Sequence, residues 1–212
     1  MPYATRFRSA LPALAVLALS ALLAGAVAPT APEPAAPPAR GSLTGQLLIA
    51  SPDMRDPRFD HAVILVVRHD SDGAFGLVIN MPAGERPLAE LLAAIGETGT
   101  GDAKVPVFVG GPVQPEVALV LHSAEYRGSG TLAIDGRLAV TGDRQILRDM
   151  AAKTGPQKSL LCLGYAGWAP GQLDAEMEHN VWFTAPADPA LVFDAARDKV
   201  WDLAMARRTR DL

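Results

Sequence analysis

The side chains that could do chemistry here are four histidines, one cysteine and a few acids and aromatic rings close together in sequence. His61, His69, His122 and His179 are scattered, and no two stand at the spacing of zinc ligands. His69 and His122 each close an apolar run, so they could meet at one sheet edge and act with the acids near Glu178. The ordinary reading of such histidines is a solvated strand end. Asp70-Ser71-Asp72-Gly73 opens like a calcium loop, but the third acidic ligand and the later glutamate are missing. Asp and Gly are also what a plain turn requires. Cys162 lies between Leu161 and Leu163 and reads as a small buried residue rather than a reactive thiol. A lone cysteine forms no disulfide within the chain. Neither a metal nor a cofactor is expected.

Gly164-Tyr165-Ala166-Gly167-Trp168 follows an apolar run, as a hydrolase nucleophile elbow would. Ala166 stands where that motif needs serine and Trp168 where it needs its last glycine, so the elbow chemistry is absent. Gly110-Gly111 could present backbone N–H groups to an anion, although closing a turn is the usual job of such a pair. Asp174 and Glu178, four apart, share a helix face that reads as exposed. Tyr165, Trp168 and Trp182 around a glycine turn form the candidate binding surface, against the tendency of large rings to pack in a core. Two functional classes follow. One is a non-enzymatic binding or regulatory protein, with a protein or small molecule as partner. The other is an envelope hydrolase with a site near His69, His122 and Glu178.

The elements that must position these groups are mostly strands. Gln46–Ala50 and the β-branched run His61–His69 are strands, and Asp70–Gly73 joins the latter to Ala74–Asn80 as a β-hairpin. Leu88, Leu91, Leu92 and Ile95 recur at i, i+3, i+4 and i+7, a short amphipathic helix over 87–95. Val105–Val109 and Val117–His122 flank the Gly110-Gly111-Pro112 turn, and Thr131–Ile134 pairs with Leu138–Thr141 across Asp135-Gly136-Arg137. Asp143 caps a helix carrying Ile146, Leu147 and Met150. Ser159–Leu163 is a buried strand, which Gly164 to Gly167 turns into a helix with Leu173, Met177 and Val181 on one face. Trp182–Thr184 is extended, Asp188-Pro189 starts a turn of helix, and Val200, Trp201 and Ala204 mark the last helix. Neighbouring paired strands with irregularly placed short helices predict an α+β fold. Its sheet is mixed and largely antiparallel, with a partly closed barrel as one form of it.

Residues 1–26 carry Arg6 and Arg8, an alanine- and leucine-rich run from Leu11, and Ala24-Gly25-Ala26. This is the order of a secretory signal peptide, cut after Ala26 or alternatively Ala28. An uncleaved membrane anchor and a misplaced start codon are the other readings. Export places the protein in the periplasm or outside the cell; a misplaced start leaves it in the cytoplasm. Residues 27–41 form an Ala/Pro-rich linker, and 42–212 a single domain. Removing 1–26 takes Lys+Arg from 19 to 17 against 23 Asp+Glu, a net charge of −6. With no basic stripe, nucleic acid is excluded as a partner.

Gly45–Pro52, Asp72–Asn80, Val107–Gln114 and Leu163–Leu173, continued by Glu178–Phe183 and Pro186–Pro189, resemble the signature segments of the YqgE/AlgH family. The resemblance spans roughly residues 43–204. It implies a compact α+β fold with a mixed, barrel-like sheet, and brings no established activity, metal, cofactor or catalytic residue. Members carry the label of transcriptional regulators, by association with exopolysaccharide control. This chain departs from the family in its first 41 residues, since the usual member starts near the first strand and is cytosolic.

Overall fold

A computed structural model describes residues 41–99 and 103–209; the signal-peptide reading and nearly all of the linker lie outside the described residues. The first strands are β1 (Gln46–Ala50), β2 (Val63–Asp70) and β3 (Gly73–Val78), an antiparallel meander. Then come β4 (Pro82–Pro87), α1 (Leu88–Ala94), β5 (Lys104–Val109), β6 (Val113–Ser123), β7 (Thr131–Ala133) and β8 (Leu138–Thr141). The chain continues through α2 (Gln145–Ala151), β9 (Ser159–Trp168), α3 (Gln172–Glu178), β10 (Trp182–Pro186), α4 (Pro189–Phe193) and α5 (Val200–Ala206). Ten strands form one sheet in the order β10-β1-β2-β3-β9-β6-β8-β7, with β5 also on β9 and β4 on β5. Every pairing is antiparallel except β5 with β9.

The sheet curls until its far ends meet. Arg137, in the β7–β8 hairpin, donates from Nη2 to the Ala187 carbonyl at 2.8 Å beyond β10. The interior is filled by Leu47, Ile49, Val63, Leu65, Leu77, Leu121 and Leu138, all fully buried. Leu191 and Val192 of α4 and Val200 and Ala204 of α5 plug this half-barrel. Leu48, Ile64 and Val66 point to the outer face and are equally buried beneath Leu173 of α3. Burial on both faces is why β1 and β2 are continuous apolar runs rather than alternating ones. The other outer face, around Val107, Val120 and Leu161, is covered by α1 and α2.

β9 departs from the expected turn. It runs unbroken from Ser159 to Trp168, pairing β5 and β6 with its first half and β3 with its last three residues. Leu160 and Cys162 face the interior; past Gly164 the interior residue is Tyr165, while Ala166 and Trp168 face outward. The alternation slips by one residue at Gly164, whose φ is +69°, the effect of a bulge on a strand of period two. A Cβ on Gly164 would lie 2.4 Å from the Gly111 carbonyl oxygen, and one on Gly111 2.2 Å from the Tyr165 carbonyl carbon. Here β9 and the turn between β5 and β6 touch backbone to backbone, so both positions demand glycine.

Other differences are smaller. β4 is exposed, polar and bounded by prolines, so it shows no strand signal, and it pairs β5 at a sheet edge. Val181 lies beyond the end of α3. Asp143 accepts from the Gln145 N–H at 2.8 Å and Asp188 from the Ala190 N–H at 3.0 Å, so both cap as their position before a helix predicts. No helix among the described residues is long and apolar enough to cross a membrane.

Candidate functional site: a tryptophan cleft

After β9 the chain reverses through Ala169, Pro170 and Gly171 into α3. Gln172 fastens this turn by accepting the Ala169 N–H at 3.1 Å. Leu173 then anchors α3 in the apolar layer, which sets the phase of the helix and turns Glu176 back toward the sheet. One oxygen of Glu176, Oε2, accepts from Trp168 Nε1 at 2.9 Å and from Trp182 Nε1 at 2.7 Å. Its other oxygen accepts from Gln172 Nε2 at 2.9 Å. Three neutral donors satisfy the carboxylate oxygens without a cation, and hydrogen bonds to a charged group are worth ~1.5–3 kcal/mol each.

The two indoles meet edge to face with centroids 6.2 Å apart, and Phe59 stands edge-on to Trp182 at 5.6 Å. Trp168 and Trp182 are 8% and 3% exposed, so they are a fixed wall rather than mobile surface rings. Facing them is the loop after β1. Ser51 donates its backbone N–H to the Val181 carbonyl at 3.0 Å, and Asp56 caps a single 3-10 turn at Pro57–Phe59. The Arg58 guanidinium hydrogen-bonds Asp56 and holds that carboxyl below its usual range. Between loop and wall lies a cleft of about 840 Å³, lined by Met54, Arg55, Phe59, Trp168, Glu176 and Trp182 among others.

The sequence candidates fall in different places. Trp168 and Trp182 come together in the cleft. Tyr165 does not, because the slip at Gly164 sends it to the interior against Phe75, 5.2 Å away. His69 and His122 are brought apart: His69 pairs with Ala74 and Ala74 with Trp168, whereas His122 pairs with Ser159 at the other end of β9. Nine residues of strand separate those positions, roughly 30 Å.

Neither histidine is a solvated strand end. His69 has a largely buried side chain, accepts the Leu43 N–H on Nδ1 at 3.2 Å and lies 3.5 Å from Asp174 Oδ1 through Nε2. His122 is fully buried between the Ser123 carbonyl, 3.0 Å from Nδ1, and Thr141 Oγ1, 2.8 Å from Nε2. Burial pushes its pKa down, against the opposing pull of the Ser123 carbonyl and Glu125. Glu178 is exposed on α3 and meets neither histidine.

Asp70 accepts the Asp72 N–H at 2.9 Å in a plain turn, and no cluster of acids, histidines and cysteine that could hold a metal occurs among the described residues. Gly110 gives its N–H to the Leu163 carbonyl at 2.7 Å, so that donor is spent within the sheet. Cys162 is fully buried, and desolvation pushes its thiol up to about 12. Sequence reasoning missed Glu176 and the 51–59 loop. The available signal was Gln172 and Glu176 at i, i+4 between two tryptophans.

A curled mixed sheet, filled by its own two C-terminal helices and notched on one outer face, defines an α+β half-barrel. The chain belongs to the AlgH-like family, whose profile matches residues 47–212. A UPF0301 protein of Jannaschia sp. (strain CCS1) is 49% identical over 77% of this chain and 86% of its own length. One from Methylobacterium sp. (strain 4-46) is 42% identical over 79% and 84%. The solution structure of the AlgH protein from Pseudomonas aeruginosa superposes with a TM-score of 0.70 at 40% identity, covering 82% of this chain and 92% of that one. A crystal structure from Corynebacterium diphtheriae, 24% identical with a TM-score of 0.60 over 76% and 84%, shares the fold.

Proposed function

We propose that this chain is a non-enzymatic binding or regulatory protein exported to the cell envelope, with the cleft at Trp168 and Trp182 as its recognition site. The observation that carries the reading is the Glu176 carboxylate holding both indoles, which makes a rigid, preorganised wall beside an open volume of about 840 Å³. Large, preformed concavities with apolar walls and a few placed polar groups are where ligands bind. Of the groups a hydrolase would need, His69 and His122 stand at opposite ends of β9, and the acid beside His69 is Asp174 rather than Glu178. A protein or small-molecule partner suits the acidic domain; a nucleic acid does not. Arg6, Arg8, the apolar run and Ala24-Gly25-Ala26 support export.

The binding reading is tested by screening a chemically diverse fragment set while following the indole N–H signals of Trp168 and Trp182 by NMR. Hits are expected to shift these two signals, and Arg55→Ala and Phe59→Ala are expected to weaken them. Hits that cluster elsewhere, or turnover of a hit by the protein, would sink the reading. Amino-terminal sequencing tests export: a mature start at Val27 is expected, and a soluble protein retaining Met1 in the cytoplasm overturns it.

A further inference from the structure

The cleft and the point where the chain enters the fold lie on two sides of one short helix. Ser42 Oγ donates to the His69 carbonyl at 2.8 Å and Leu43 N–H to His69 Nδ1 at 3.2 Å, and His69 Nε2 lies 3.5 Å from Asp174 of α3. Leu43 packs into the same apolar layer as Trp168 and Trp182. Glu176 is two residues past Asp174, about 200° around the helix, and faces the cleft. A chain leaving Ser42 therefore has roughly the 10–12 Å width of one helix between it and the cleft. Upstream of Gly41 stand residues 27–40, VAPTAPEPAAPPAR, five of them proline. At ~3.1 Å per residue of polyproline-type chain they reach about 40 Å, well beyond what the path requires.

The chemistry of the two parts matches. Phe59, Met54 and Val181, half-buried and backed by the exposed edges of Trp168 and Trp182, give the aromatic and apolar lining that polyproline segments dock against. Proline brings a carbonyl acceptor and no N–H, so such a segment needs donors from its receptor. The side chains of Arg55 and Asn180 line the cleft with no hydrogen-bond or ion-pair partner among the described residues. Arg55 also complements Glu33, the sole acid of residues 27–40.

Resting on the cleft being the recognition site, we infer that it is a receptor for an extended proline-rich segment, and that its resident occupant is this chain's own residues 27–40. Tethering gives the segment an effective concentration in the millimolar range, so weak contacts suffice to keep it in place. A partner bearing a similar proline-rich stretch then binds by displacing it.

The test uses the processed protein with Ala35→Cys carrying a nitroxide label; buried Cys162 is inaccessible to the reagent. The indole N–H signals of Trp168 and Trp182 are expected to broaden several-fold more than the amide signals of α2 on the other outer face. The excess is expected to vanish when Pro29, Pro32, Pro34, Pro37 and Pro38 are all replaced by serine. Equal broadening on both faces, or an excess that survives the serine substitutions, overturns the inference. So does broadening seen only between labelled and unlabelled molecules, which assigns the cleft to a second copy. Fragments that shift the two indoles in a chain whose label leaves them unbroadened would keep the recognition reading and remove this occupant.

Discussion

The half-barrel has two outer faces, and they solve one problem differently. Each sets a polar, titratable side chain among apolar ones. On the face under α3 that group is Glu176, at the lip of the cleft, its carboxylate shared by two indoles and Gln172. On the face under α1 and α2 it is His122, fully buried, joined through Thr141 Oγ1 to Thr131 Oγ1 at 2.8 Å and packed edge-on to Tyr126 at 5.3 Å. Beside it the Tyr126 hydroxyl donates to Asp149 at 2.7 Å, and burial, helped by that bond, pushes the phenol far above its usual range. One helix leaves a notch whose carboxylate solvent reaches; two helices seal the face, and burial there lowers the pKa of His122. Depth makes the difference, because desolvation penalises the charged form.

The largest expected effect is on the notched face. Trp182→Ala removes a ring that Phe59, Trp168 and Glu176 all touch, and is expected to cost ~3–5 kcal/mol in denaturant unfolding. A loss near zero would mean that the wall is not part of the folded core. Next is Glu176→Leu, which leaves two indole N–H groups unpaired at ~1–3 kcal/mol each. It is expected to destabilise by about 2 kcal/mol or more, with Glu176→Gln losing less because an acceptor oxygen remains. If leucine were neutral there, the two faces would not differ in the way described.

The sealed face is probed by pH. The folded-state pKa of His122 lies below its unfolded value near 6.5, so the unfolded chain takes up the proton first as pH falls. The stability this histidine contributes is whole above about pH 6.5 and is lost as pH drops toward its folded pKa, at up to ~1.4 kcal/mol per pH unit. The difference in unfolding free energy between the parent and His122→Gln should therefore shrink on acidification. A constant difference would mean that burial leaves the pKa of His122 where it is in the unfolded chain, and a growing one that the face holds a charged imidazole. The smallest effect belongs to Glu178→Gln, exposed on α3 and expected to stay within about 0.5 kcal/mol.

Much of the framework can be read from local chemistry. The apolar runs of β1 to β3 with Asp and Gly between them mark a meander, and Asp143 and Asp188 mark helix starts. The GGP and GYAGW segments, with the other signature stretches, point to the family. The candidate site was only half legible. Trp168 and Trp182 stand out in the sequence as rings near a glycine turn, but Tyr165 stands out equally, and nothing local separates Glu176 from Asp174 and Glu178.

What the sequence determined by itself, then, is most of the elements, the apolar runs that fill the core and the family, because period, caps and turn residues act within a few residues of themselves. The tertiary structure alone decided which faces meet. Tyr165 points inward and Trp168 outward, rather than the reverse, because Gly164 slips the alternation where the Gly111 backbone, far away in sequence, comes within contact. Glu176, rather than Asp174 or Glu178, turns inward because Leu173 fixes the phase of α3 against the sheet. His122 is buried because α2 and the β7–β8 hairpin close over its strand end. In each case the deciding force is packing between segments distant in the chain, which no local pattern encodes.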